Sequence, residues 1–202
     1  VSLKSRQLES KGRNIIGVLP GSDKNLKKET VVIGLSYNYR ASEQGGREKV
    51  LLGLELVKKL AGQKEMRTRN IVVAFWDGTV SEGTNGLTHY TGNSQQDAVL
   101  YLDLTQVTGI GADNVVVFTQ WAPVKNLFAW SLGHQLAANF NQSGIPVVDE
   151  VKDLSFTSSA MYYQKSIPTV MVAVPPSGGG KGKYPLSKLG EVLADSIKRN
   201  NY

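Results

Sequence analysis

Two apolar segments separated by an amphipathic segment constrain the fold most strongly. Residues 30–37 (TVVIGLSY) and 70–76 (NIVVAFW) are near-continuous apolar runs, a pattern typical of strands covered on both faces. Residues 48–61 between them have helical periodicity. The apolar face predicted for this helix comprises Val50, Leu51, Leu54, Val57 and Leu60. A strand, a helix and a second buried strand in this order predict a βαβ unit with parallel strands.

The same alternation continues along the rest of the chain. Its patterns predict further strands at residues 14–21, 98–104, 114–119 and 169–174. They predict further helices at residues 123–140, 155–164 and 186–199. We therefore expect an α/β three-layer sandwich in which helices flank a mixed, mostly parallel sheet. A length of 202 residues with 41% hydrophobic residues favours a single domain over residues 1–202.

Composition excludes several classes of function. The chain has no cysteine, so disulfides, thiolate metal sites and cysteine catalysis are excluded. Its net charge of +6 would suit an anionic partner, but no basic stripe is interleaved with aromatic residues and no nucleic-acid motif is present, so we expect no nucleic-acid partner. No apolar run approaches the ~20 residues needed to span a bilayer, so no transmembrane segment is expected.

Polar residues follow three of the predicted strands directly. They lie at residues 36–38 (Ser-Tyr-Asn), at residues 77–79 (Asp-Gly-Thr) and at Asp103. In open α/β sheets, binding sites form beyond the carboxyl ends of parallel strands. The sequence therefore predicts that these side chains are neighbours at one edge of the sheet.

The order of segments resembles the M28 family of zinc-dependent aminopeptidases. The resemblance covers nearly the whole chain and is carried by NIIGVLPG, ETVVIGLSYNYR, RNIVVAFWDG, AVLYLDL and SIPTVMV. It implies a zinc-exopeptidase-like fold. It also implies an extracellular, cell-surface or periplasmic location, as suits an ectodomain cut from a larger chain or attached to a membrane-anchored protein.

The resemblance implies that the first metal-binding segments are substituted. The family strand that is similar to residues 30–37 ends in His-Tyr-Asp, where the His binds zinc and the Asp orients that His. Ser36, Tyr37 and Asn38 occupy these positions. The metal-bridging Asp of the family falls near Gly45.

The later metal-binding segments are also substituted, with one exception. The family's general base and a neighbouring zinc-binding Glu correspond to Thr79 and Val80. Asp103 matches a ligand position, whereas residues 178–185, where the last ligand His would lie, contain no His. Asp77 resembles an Asp that is not a ligand in the family, and we expect it to bind loop amides. Asp103 has a structural alternative as well, in capping the next turn or pairing with a lysine.

The histidines do not restore a metal site. The chain contains only two, His89 and His134. His134 lies within the predicted helix 123–140, and His89 follows the FWDG loop, where M28-like sequences often have a His-Tyr pair away from the metals. Neither has a partner at ligand spacing, so we expect both to be structural.

Two rival kinds of site find little support in the sequence. Ser36, Thr79, Ser158 and Ser159 are candidate nucleophiles, but a serine hydrolase needs a base within reach. Neither His lies in a segment expected at the cleft, and no G-x-S-x-G is present. The glycine-rich residues 177–183 lack the spacing of a phosphate-binding loop.

Three hypotheses follow for the function. The first is a catalytically inactive peptidase-like domain that binds an unknown protein or peptide partner, without catalytic residues, metal or cofactor. The alternative is an active, zinc-dependent aminopeptidase with rearranged ligands, in which Asp103, Asp77, Glu82 and His89 converge. The third hypothesis is a domain that binds a small ligand in the cleft where the family has its active site. Its binding residues would be Tyr37, Asn38, Thr79 and Asp103.

The third hypothesis predicts stabilisation by free ligand. A thermal-shift screen against amino acids and short peptides should raise the melting temperature, since a ligand at ~100 times its Kd adds ~2.7 kcal/mol to the free energy of unfolding. A screen without any shift would contradict a small-ligand site.

Overall fold

The computed structural model describes residues 12–37, 46–62, 67–77, 86–93, 97–108, 111–120, 127–152, 165–175 and 182–199. The strands in these ranges are β1 Ile15–Leu19, β2 Glu29–Ser36, β3 Asn70–Trp76, β4 Asp97–Asp103, β5 Gly111–Ala112, β6 Val115–Gln120, β7 Val147–Lys152, β8 Thr169–Ala173 and β9 Tyr184–Pro185. The helices are α1 Gly46–Ala61, α2 Gly86–Asn93, α3 Leu127–Gln142 and α4 Leu186–Arg199, with a 3-10 turn at Leu26–Lys28.

The main sheet is mixed and mostly parallel, which confirms the predicted fold class. Its seven strands in the described ranges lie in the order β1-β3-β2-β4-β8-β6-β7. Strands β3, β2, β4 and β8 are mutually parallel. At one edge β1 runs antiparallel to β3, and at the other β6 runs antiparallel to β8 and parallel to β7. The short strands β5 and β9 form a separate antiparallel pair.

The sheet is covered on both faces, as the apolar runs of β2 and β3 predict. Val31, Ile33 and Leu35 of β2 belong to a large core with leucines of α1, α3 and α4. Val32 belongs to a smaller core on the opposite face, which includes Leu87 of α2. Because successive side chains of a strand alternate between faces, a central strand with apolar residues at both parities requires a layer on each side.

The predicted apolar face of α1 is partly wrong. Leu51 and Leu54 are 47% and 53% exposed, whereas Leu52 and Leu56 are buried. This helix has the sequence GREKVLLGLELVKKLA, with leucines on several sides, so periodicity alone does not select the buried face. The observed stripe takes every third or fourth residue and begins with Lys49, which is only 6% exposed.

The remaining differences concern short or polar elements. Strand β7 was not predicted, because its sequence VVDEVK has polar residues in the middle and it forms as an edge strand on β6. Helix α2, also not predicted, is short and has the sequence GLTHYTGN, which is poor in strong helix formers. The predicted helix 123–140 is observed as α3, and the predicted helix 155–164 lies outside the described residues.

Arg67 links the carboxyl end of α1 to the residue that follows β1 by hydrogen bonds. Its guanidinium is buried and donates to the carbonyl oxygens of Leu60 and Ala61, and to that of Pro20 after β1. The last carbonyls of a helix lack partners within the helix, so this contact fixes where α1 ends. None of the helices in the described ranges has the length and apolar character that crossing a bilayer requires.

Two leucines of α1 test the observed burial. Replacing Leu56, which is completely buried, by Ala should lower the free energy of unfolding by about 2–5 kcal/mol, because the change leaves a cavity in the core. Replacing Leu54, which is 53% exposed, should cost no more than about 0.5 kcal/mol. Urea unfolding monitored by circular dichroism measures both, and equal losses would contradict the assignment of the buried face.

Candidate functional site

The carboxyl ends of β2, β3 and β4 meet at one edge of the sheet. Ser36 lies opposite Trp76 at the end of β3, and Gly34 lies opposite Asp103 at the end of β4. Ser36, Asp103 and Asp77, which directly follows β3, therefore share this edge. Tyr37, which directly follows β2, is also described. The remaining predicted site residues lie outside the described ranges; they are Asn38, Gly45, Thr79 and Val80. Glu82, Ser158 and Ser159 lie outside these ranges as well.

Gly34 lets side chains from the two neighbouring strands meet across β2. A Cβ at this position would lie 2.3 Å from both Trp76 Nε1 and the Tyr101 hydroxyl. These two groups instead form a buried hydrogen bond, with Trp76 Nε1 donating to the hydroxyl oxygen at 3.2 Å. A side chain at residue 34 would push β3 and β4 apart, so the glycine helps to hold the strand ends in register.

Asp77 and Tyr37 both bind the backbone of Arg13, which lies just before β1. The Asp77 carboxylate accepts the Arg13 backbone N–H at 2.7 Å, and the Tyr37 hydroxyl donates to the Arg13 carbonyl at 2.7 Å. Asn14 accepts the Asp77 backbone N–H at 3.1 Å and donates to the carbonyl of Gly86 at 2.7 Å. Asp77 is 7% exposed, and its contact with a backbone amide agrees with the role expected from the sequence.

The environment of Tyr37 raises the pKa of its phenol above the ordinary value of 10.0. Partial burial is the largest cause, because the phenolate loses hydration. The negative charge of Asp77 and its hydrogen bond with the hydroxyl act in the same direction. Tyr37 is therefore a hydrogen-bond donor at neutral pH.

The buried Lys49 bonds Ser36 and the turn that follows Asp103. Lys49, in the first turn of α1, donates from Nζ to Ser36 Oγ at 3.1 Å and to the Thr105 carbonyl oxygen at 3.2 Å. Asp103 is completely buried, and its carboxylate accepts the Thr105 backbone N–H at 2.8 Å. The lysine thus links the end of β2 to the turn that Asp103 caps, in line with the structural alternative for Asp103.

Sequence reasoning missed Lys49, although a signal was present. Lys49 lies three residues before Leu52 and seven before Leu56, both of which are buried, and these are spacings that share one face of a helix. A charged residue at the head of an apolar stripe indicates a buried, paired group, since lysine is almost never buried without a partner. The incorrect assignment of the buried face hid this pattern.

Both histidines lie on helices. His89 is exposed on α2, and its carbonyl accepts the side-chain amide of Asn93 at 2.7 Å. His134 lies on α3, where its Nδ1 contacts the carboxylate of Asp149 and its ring meets that of Trp130 edge-on at 4.3 Å between centroids. These contacts account for His134 without a metal.

The described residues do not fit a zinc ion. A zinc site takes at least three protein ligands from Cys, His, Asp or Glu, and no group of three such residues in the described part of the chain could hold a metal. At the edge itself, the donors in the described ranges include the carboxylates of Asp103 and Asp77, which hold the backbone N–H groups of Thr105 and Arg13, and the hydroxyl of Ser36, which contacts Lys49. A hydroxyl and two carboxylates that already bind the chain do not make such a donor set.

The fold is that of zinc aminopeptidases. Over 92% of its length the chain superposes on a zinc aminopeptidase from Bacillus subtilis with a TM-score of 0.63 and 14% sequence identity. It superposes over 94% of its length on the aminopeptidase LapA from Legionella pneumophila (TM-score 0.63, 13% identity) and over 91% on an aminopeptidase from Aneurinibacillus sp. strain AM-1 (TM-score 0.65, 12% identity). No family model and no curated protein matches the sequence.

These comparisons establish the fold and do not show the activity. The matched regions cover 49%, 55% and 47% of the three enzymes, so the chain spans about half their length. At identities of 12–14%, chemistry does not follow from shape, since one fold hosts many functions.

The raised pKa of Tyr37 gives a test of the contact with Asp77. The difference between the ultraviolet titrations of the wild type and Tyr37→Phe should show a phenol that titrates above 10.0, the ordinary value. Asp77→Asn should lower the pKa of Tyr37 only in part, because burial is the larger cause.

The sign of the pH dependence follows from the same shift. Because folding raises this pKa, the stability that Tyr37 contributes is complete below about pH 10 and is lost as the pH rises through the folded-state value. A difference titration below 10 would contradict the assignment.

Proposed function

We propose that this chain is a catalytically inactive zinc-aminopeptidase-like domain that acts as a binding or structural module. The contact between Lys49 Nζ and Ser36 Oγ carries the proposal. Ser36 falls where the family resemblance implies a zinc-binding His, and a lysine side chain now bonds the group at that position. A peptidase metal would have to bind beside this amine, with a neutral hydroxyl in place of an imidazole.

The two aspartates of the edge support the same function. Asp77 binds the backbone of Arg13, and Asp103 binds the backbone of Thr105. Each carboxylate therefore stabilises the local chain, which a carboxylate can do without metal. Both residues would belong to a scaffold retained after the peptidase chemistry was lost.

The partner and location of such a module follow from the resemblance. A domain of this kind would bind a protein or peptide through its surface or its altered cleft, with no nucleic acid involved. We propose an extracellular, cell-surface or periplasmic location, where the family is typically found. We also propose that residues 1–202 form a single domain.

The alternative function is a zinc-dependent aminopeptidase with rearranged ligands. It requires Asp103, Asp77 and His89 to converge with Glu82. Within the described residues, His89 is exposed on α2 and both aspartates hold backbone amides. These positions favour the inactive module.

Metal content decides between the two functions. Protein purified without chelator should contain no stoichiometric zinc by inductively coupled plasma mass spectrometry, and it should not release the amino acid from an aminoacyl p-nitroanilide with or without added zinc. About two zinc ions per chain, as in two-metal aminopeptidases, together with zinc-dependent hydrolysis would overturn the proposal. Lys49→Ala provides a control for whether removal of the amine alone admits a metal.

A further inference from the structure

Ser36 and Lys49 form a pair with the geometry of a nucleophile and its base. Ser36 is half-buried at the carboxyl end of β2, and Lys49 approaches it from α1 with its side chain almost completely buried. The distance from Lys49 Nζ to Ser36 Oγ is 3.1 Å, within the ~2.6–3.2 Å that proton transfer between such groups requires. The serine is thus the more accessible partner and the amine the more protected one.

A second hydrogen bond fixes the position of the Lys49 amine. Lys49 Nζ donates to the carbonyl oxygen of Thr105 at 3.2 Å, and Asp103 holds Thr105 through its backbone N–H at 2.8 Å. An activated serine commonly has a base that a third group orients. A neutral amine can donate one N–H to Thr105 while its lone pair accepts the Ser36 proton, so both contacts are compatible with a base.

The amine is also shielded from solvent, since Lys49 is only 6% exposed. The pair lies at the carboxyl ends of parallel strands, where sites form in open α/β sheets. Ser36 is one of the candidate nucleophiles of the sequence, and Lys49 offers it a base that is not a histidine.

We propose that Ser36 and Lys49 form a metal-independent pair that accepts an acyl group from an ester. Lys49 Nζ takes the hydroxyl proton of Ser36, and Ser36 Oγ bonds to the carbonyl carbon of the ester. The bond from that carbon to the leaving oxygen breaks, and Lys49 returns the proton to the leaving alkoxide. The products are an acyl-serine at residue 36 and the free alcohol, so atoms and charge balance.

This inference does not depend on the proposed function. That proposal is the absence of metal-dependent peptide hydrolysis, whereas Ser36 reacts without metal and need not turn over. A lasting acyl-serine would let a binding module hold its ligand covalently. Zinc content and p-nitroanilide hydrolysis test the first idea, and acylation of Ser36 tests the second, so either can fail alone.

The experiment uses p-nitrophenyl acetate as the acyl donor and the whole chain as the protein. The wild type should release a burst of about one p-nitrophenolate per chain, and peptide mass spectrometry should place one acetyl group on Ser36. Ser36→Ala should abolish the burst. Lys49→Arg should slow it by about 100-fold or more, the usual contribution of a general base, because a guanidinium donates hydrogen bonds but does not accept the proton.

Two control variants match the pair in residue type. Ser22→Ala removes a serine whose hydroxyl donates to the Arg67 carbonyl oxygen at 2.9 Å, and Lys59→Met removes a lysine of α1 that pairs with Glu191 on the surface. Both should keep the wild-type burst. Circular dichroism and melting temperatures check that each variant is folded.

The pair is purely structural if the wild type shows no burst, if the acetyl group lies on other residues, or if Lys49→Arg reacts as fast as the wild type. Any of these results overturns the proposal. Where a Lys49 variant does not fold, the comparison of wild type with Ser36→Ala and the mapped position of the acetyl group decide the outcome alone.

Discussion

Burial of β2 on both faces is the constraint on which the rest of the structure depends. Its apolar side chains alternate between the large core beneath α1, α3 and α4 and the smaller core beside α2. It pairs in parallel with both β3 and β4, so three carboxyl ends meet at one edge. Gly34 makes this close arrangement possible, because the side chains of Trp76 and Tyr101 occupy the space beside it.

The polar side chains of the same edge bind groups of the chain itself. A metallopeptidase edge holds several carboxylates and imidazoles around cations. Here Asp77 and Asp103 hold backbone amides, and an amine from α1 reaches the hydroxyl of Ser36. Each buried polar group in this set has a partner, as buried polar groups require. The hydrogen bonds of these groups therefore lie within the protein.

The sequence predicted the site only where a residue's position follows from the strand that carries it. Ser36, Asp77 and Asp103 end or follow apolar runs, so their shared edge could be predicted from parallel pairing. Lys49 could not be placed in this way, because its role depends on which side of α1 faces the sheet. With leucines on several sides of that helix, the buried face is selected by packing against β2 and α4.

The sequence by itself determined the order of buried strands and helices, the absence of cysteine chemistry and the polar residues that end three of the strands. These follow from residue types and from periodicities of two and 3.6, which act locally. Only the tertiary structure decided that Lys49 reaches Ser36 and that Asp103 holds Thr105. Those contacts join residues from different elements, and their distances depend on how the helix and the sheet pack together.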